Sequence, residues 1–144
     1  MHECELCAAA GGETIWQDAL CRVVRAGGEE GSAFPGFCRV VWQAHVAEMT
    51  DLAACDQRHL MNVVFATEAA LRALLRPDKI NLASLGNAVP HLHWHVIPRW
   101  RDDSRFPLPV WGEAKRTAPL RKSADNGALA ATIAEILSAE VSGA

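Results

Sequence analysis

Several things are missing from this chain, and each absence excludes something. A bilayer span needs ~18 or more consecutive apolar residues, and no such run occurs; the N-terminus also has no apolar leader core. Neither sign of charge dominates, since 14 Lys and Arg against 17 Asp and Glu give a formal net charge of −3. That balance argues against a nucleic-acid coat or an anionic membrane surface as partner. No glycine-rich loop opens a helix, so a P-loop or dinucleotide-binding domain is not expected. Five cysteines, an odd number, make a poor disulfide framework in 144 residues. There is no internal repeat and no low-complexity segment. The expectation is a reduced, cytoplasmic protein with one domain over residues 1–144, burying roughly two-thirds of its unfolded surface.

What is present is concentrated in His91-Leu92-His93-Trp94-His95-Val96-Ile97-Pro98-Arg99, which holds three of the six histidines. The polar/apolar alternation with aromatic and β-branched residues predicts a strand. On a strand, His91, His93 and His95 share one face, ~6.6–7 Å apart, with Leu92, Trp94 and Val96 on the other. Downstream, Arg99 to Lys122 carries seven basic residues against three acids, a locally positive stretch that suits an anionic ligand or a solvated face equally.

The remaining segments are ordered around this run. Cys4-Glu5-Leu6-Cys7 places two thiols where they can share a metal or form a redox pair; the weak helix start at Ala8 to Gly12 favours half a zinc site over a redox motif. Thr14 to Gln17 and Leu20 to Arg25 predict a hairpin, and Ala26 to Gly36 is loop chemistry. Phe37 to Trp42 predicts a third strand, with His45 just past its end. Thr50 and Asp51 are expected to cap a long helix in which Leu60, Val64, Thr67, Leu71 and Leu74 face the core, with His59 solvated and Pro77 ending it. Lys79 to Leu85 predicts a strand carrying Asn81, and Gly86-Asn87 turns toward the histidines. Phe106 to Gly112 forms an irregular apolar lip. Residues 113–144 are a C-terminal extension in which Asp125 or Asn126 opens a short helix with Leu129, Ile133 and Ile136 on one face. The order β-β-β-α-β-β with a C-terminal helix favours an α+β fold on an antiparallel sheet.

Two chemistries use three histidines on one face. They can bind a metal with an open position for water, giving a metal-dependent hydrolase. Alternatively one imidazole attacks phosphorus while a second stabilises the phosphate oxygens. His93, flanked on both sides, is the natural nucleophile.

These residues resemble the histidine triad (HIT) superfamily, whose signature His-φ-His-φ-His-φ-φ (φ apolar) is met by His91 to Ile97. Pro35 to His45 is similar to the family's Gly-His-x-Leu-Val-x-Pro-x-x-His strand, and Asn81 with Gly86 and Asn87 resembles its Asn…Gly-Gln segment. The resemblance covers residues 4–112 and looks most like a bacterial branch described as diadenosine-tetraphosphate-hydrolase-like. It implies an antiparallel sheet of about five strands with one long central helix and a C-terminal helix, assembled as a homodimer. The implied activity is that of a nucleotide hydrolase or transferase acting at the α-phosphorus of a dinucleoside polyphosphate or nucleoside phosphoramidate. His93 would form a nucleotidyl-histidine, His95 would contact phosphate oxygens and His91 would help fix His93. His45, Asn81 and Asn87 would line the substrate. No cofactor is required for that chemistry.

Some HIT-like branches also hold a structural zinc, and the matching set here is Cys4, Cys7, His45 and His91. The chain departs from the family at four places. Ala88 stands where many members carry Ser or Thr, Asn87 where Gln is usual, and Phe37 where histidine follows the glycine. Neither Arg25 nor Ala26 offers the acidic or amide group that holds ribose, which leaves Glu29 or Glu30. These departures also motivate a nucleotide-binding or sensing module with little turnover.

Overall fold

The computed structural model describes residues 3–142. Its elements run α1 (Glu5–Ala8), β1 (Glu13–Gln17), β2 (Cys21–Arg25), α2 (Gly28–Ala33), β3 (Cys38–Trp42), α3 (Ala54–Leu75), β4 (Lys79–Ala83), β5 (His93–Arg99) and α4 (Asn126–Ser142). The strands form one antiparallel sheet in the order β1-β2-β3-β5-β4. This is the expected α+β architecture of five strands, a long helix and a C-terminal helix.

Register decides what each face does, because residues opposite one another in an antiparallel pair share a face. Val23 pairs with Val40 and Val40 with Trp94, so one face is apolar. It is covered by α3 and α4, and Val23, Val40, Leu60, Val64, Leu71, Val96, Leu129 and Ile133 are fully buried there. The other face carries Arg39 opposite His95 and Val41 opposite His93. Here the short α1 brings Leu6 against Val24 and Val41. Phe34 and Phe37, flanking the end of α2, bury with Ile97 and Val110. Stability is thus concentrated on one side of the sheet and polar chemistry on the other.

Several local expectations change. Residues 26–36 are not wholly loop, since Gly28–Ala33 turns into α2. Thr50 and Asp51 do not cap α3. They lie in a 3-10 turn over Met49–Asp51, where the Asp51 carboxylate accepts the Glu48 N–H at 3.0 Å, and α3 begins after Ala53. Leu74 is exposed. His59 is not simply solvated: its Nε2 lies 2.7 Å from Asp18 Oδ2 and ties α3 to the β1–β2 turn. Asp18 is already fixed there by the backbone N–H groups of Leu20 and Cys21, each at 2.8 Å. The C-terminal helix has 17 residues and starts where Asp125 Oδ2 accepts the Ala128 N–H. It is part of the core.

Candidate active site

The histidine run is not one continuous strand. β5 starts at His93, and His91 sits before it, after Pro90. The Leu92 N–H donates to Val46 and its carbonyl accepts from Trp42, which pins the approach to β5. His91 is completely buried and its ring makes different contacts from those of His93 and His95. Its Nε2–H donates to the Trp42 carbonyl at 2.6 Å, so in the neutral ring Nδ1 carries the lone pair. Burial, reinforced by neighbouring His45, holds the His91 pKa below the ordinary imidazole value despite the bond to Trp42.

That lone pair faces three other donors. Nδ1 of His91 lies 3.4 Å from Cys4 Sγ, 3.5 Å from Cys7 Sγ and 3.3 Å from His45 Nδ1, and Cys7 Sγ lies 3.5 Å from His45 Nδ1. Tetrahedral zinc, with bonds of ~2.05 Å to nitrogen and ~2.3 Å to sulfur, requires N···N edges of about 3.3 Å and N···S edges of about 3.5 Å. The four residues therefore fit a Cys2His2 site. Arg22 supports the arrangement from beneath, donating to the carbonyls of Leu6 (2.7 Å) and Ala10 (2.9 Å) around the end of α1.

His93 and His95 share the sheet face as alternation predicts, with ring centroids 4.9 Å apart. The Nδ1–H of His93 donates to the carbonyl of His91 at 2.6 Å. This leaves Nε2 as the unprotonated, nucleophilic nitrogen of the neutral ring. His91 therefore contributes its backbone to His93 and its ring to the sulfur cluster. The three rings do not converge on one point. Among the described residues, the donor clusters with metal spacing are Cys4/Cys7/His45/His91 and Asp18/Cys21/His59, and neither contains His93 or His95.

His95 stands edge-on to Phe37 (5.7 Å) and Trp111 (5.1 Å). Burial first, then electrostatic coupling to neighbouring His93 and Arg39, pushes its pKa down to about 4, so the ring is neutral near pH 7. Its Nδ1 is buried and has no hydrogen-bond partner among the described residues.

His93 and His95 open into a cavity of about 520 Å³, bounded by Leu6 of α1 and Ala9 just past its end, by Leu85 to Val89, and by Trp111. Asn87 and Ala88 line it. Asn81 does not: it lines a neighbouring concavity, and its Oδ1 accepts from Arg99 Nη1 at 2.9 Å. Arg99, 1% exposed, also pairs with Asp103 through Nε (2.8 Å) and Nη2 (3.0 Å). Burial opposes the Asp103 carboxylate, but the bonds from Arg99 and from the Arg105 and Phe106 N–H groups outweigh it and lower its pKa. The motif reading did not single out Arg39 as a site residue, although it lines the same cavity. The signal was available in the period-2 pattern, which puts Arg39 between Phe37 and Val41 on one strand face.

A five-stranded antiparallel sheet with a buried His-x-His pair on one face and a long helix on the other defines a class, and residues 11–102 match the HIT domain. The chain belongs to the histidine triad family. It is similar to a histidine triad protein from Marinobacter aquaeolei, at 27% identity and TM-score 0.68 over 93% of each chain. A histidine triad protein from Sinorhizobium meliloti is 31% identical, with TM-score 0.67 over 88% of this chain and 90% of that one. A Zn-bound histidine triad family protein from Mycobacterium smegmatis shares the fold at 20% identity and TM-score 0.58, over 99% of this chain and 98% of that one. An AP-4-A phosphorylase of Mycobacterium tuberculosis is 31% identical over 78 residues, 50% of this chain but only 40% of that protein's length.

Proposed function

We propose that this chain is a nucleotide hydrolase or transferase that works at an α-phosphorus through a nucleotidyl-histidine on His93. The observation that carries the reading is the His93 Nδ1–H bond to the His91 carbonyl, which leaves Nε2 as the nucleophile in a cavity of about 520 Å³. Nδ1 keeps its proton throughout, and the bond to the carbonyl stabilises the positive ring formed when Nε2 bonds phosphorus. His95, neutral and with its ring edge-on to His93, stands beside it to donate an N–H to the phosphate oxygens. Asn87 approaches the phosphate from the loop. Asn81, bonded to Arg99, acts one step further out by fixing the floor between β4 and β5. Water then attacks the same phosphorus, the P–N bond breaks with its electron pair returning to Nε2, and the nucleoside monophosphate leaves. The AP-4-A phosphorylase similarity supports a dinucleoside polyphosphate as one substrate class.

The test is release of AMP from diadenosine tetraphosphate or adenosine phosphoramidate. Wild-type protein releases AMP and forms an acid-labile nucleotidyl adduct seen by mass spectrometry. His93→Ala lowers the rate by about 10⁴-fold or more and forms no adduct. Equal rates in the two proteins would overturn the mechanism. Ala88 favours a second reading, nucleotide binding with little turnover, because it removes a hydroxyl near the leaving group. Calorimetric AMP binding without product over long incubation would select that reading.

We further propose that Cys4, Cys7, His45 and His91 hold a structural zinc, supported by their donor spacing and by the Zn-bound relative. His45 then serves the metal rather than the substrate. A homodimer is the proposed assembly, for which β4 offers an open sheet edge.

A further inference from the structure

Arg39 is the only cation among the described residues lining the cavity that holds His93 and His95. Its Cα partner across the sheet is His95, so the two side chains leave the same face about 5 Å apart at Cβ. The guanidinium lies over the Phe37 ring, 5.1 Å from its centroid, and Nη2 is paired with Glu30 at the edge of α2. As a stabilising contact the pair is weak, because the Arg39 and Glu30 side chains are 20% and 39% exposed. As a fixed charge beside the reacting histidines it is well placed, since a cation in a partly dry cavity acts most strongly where negative charge develops.

The second observation is Ala88. Among the described residues lining the cavity beside the triad loop, none is a proton donor suited to a departing amine: Asn87 is an amide, Ala88 and Val89 are apolar, and the carboxyl of Glu5 stands on α1. An amine must take a proton as its bond to phosphorus breaks. A phosphate oxygen need not, because it departs as the anion it remains at neutral pH, and what it needs is a cation to receive it.

We propose that Arg39 contacts substrate, its guanidinium receiving the phosphate chain that departs from the α-phosphorus, so that this chain's substrates are nucleotides whose leaving group is itself a phosphate chain. The proposal rests on the α-phosphorus reading above. In the step, Nε2 of His93 forms a bond to the α-phosphorus and the bond to the bridging oxygen breaks. The electron pair stays on that oxygen, and the leaving polyphosphate carries it away paired to Arg39, with no proton transferred. Glu30 holds the guanidinium in place before substrate arrives and exchanges it for the phosphate.

Binding separates this inference from turnover. Calorimetry compares AMP with adenosine 5′-(α,β-methylene)diphosphate, which adds one phosphate and cannot be cleaved at that position. Wild-type protein binds the diphosphate about 10- to 100-fold tighter than AMP, the scale of a charge-assisted hydrogen bond in a cavity. Arg39→Gln brings that ratio to about one while AMP affinity stays within about threefold, and Arg39→Lys, which keeps the charge but not the fork, restores part of it. A wild-type ratio near one, an unchanged ratio in Arg39→Gln, or equal loss of both ligands would overturn the proposal; the last would make Arg39 structural. Failure of wild-type protein to bind either nucleotide would instead remove the nucleotide reading itself, and this inference with it.

Discussion

His95 is a buried imidazole with a pKa pushed from 6.5 down to about 4, and this shift makes the fold sensitive to acid. The unfolded chain takes up a proton near pH 6.5 that the native ring refuses until about pH 4. Its contribution is therefore fully present above pH 6.5, is lost as pH falls between these values, and loses nothing more below pH 4. The difference is about 3 kcal/mol across that window. Urea unfolding at a series of pH values should show His95→Gln losing that much less stability than wild type between pH 6.5 and 4. Equal slopes in the two proteins would mean that the ring is not held neutral. At this scale the sequence was informative where alternation operates and misleading where it stops. His93 and His95 were readable as neighbours on one face. His91 was not separable from them, because its diversion depends on Pro90, on the Trp42 carbonyl and on cysteines more than 80 positions away.

The elements divide in the same way. All five strands and α3 were legible because each carries its own period and its own terminators: Pro77 follows a helix closed by Arg76 in the left-handed region. The helices α1 and α2 were not, since four and six residues cannot sustain a helix alone and are held by contacts the local sequence does not show. For α1 those contacts are the Cys2His2 set and the Arg22 guanidinium, and Leu6 and Ala9 of its turn form one wall of the cavity. The proposed zinc would therefore hold a wall of the site as well as the N-terminal segment. Chelation, or Cys7→Ser, should lower the melting temperature by about 5 °C or more and open residues 4–12 to protease, with AMP affinity falling alongside. Limited proteolysis read by mass spectrometry checks this. Cleavage that begins elsewhere would show that the cluster does not anchor α1.

Across the whole molecule the sheet separates what holds the fold from what does the chemistry, and the separation can be tested. The family match ends at residue 102, yet the apolar face is completed by α4, where Leu129 and Ile133 are fully buried against the α3 side of the sheet. The extension thus contributes to the main core, and a chain ending at the family boundary would expose the α3 surface that α4 covers. The sequence showed the apolar spacing of α4 but not its partner. Packing on α3 and β1 is a long-range outcome, and an alanine-rich helix reads much the same whether it is docked or free. Ile133→Ala should therefore cost about 2–4 kcal/mol in urea unfolding, through the lost apolar contact and the space left behind. Its kcat/KM for AMP release, measured well below the lowered melting point, should stay within about twofold of wild type, because the sheet lies between Ile133 and the cavity. His93→Ala should show the reverse weighting, an inactive protein that loses only about 1–3 kcal/mol through the buried bond to the His91 carbonyl. If Ile133→Ala instead reduced kcat/KM in proportion to its loss of stability, the two faces would be coupled and the sheet would not be acting as a rigid partition.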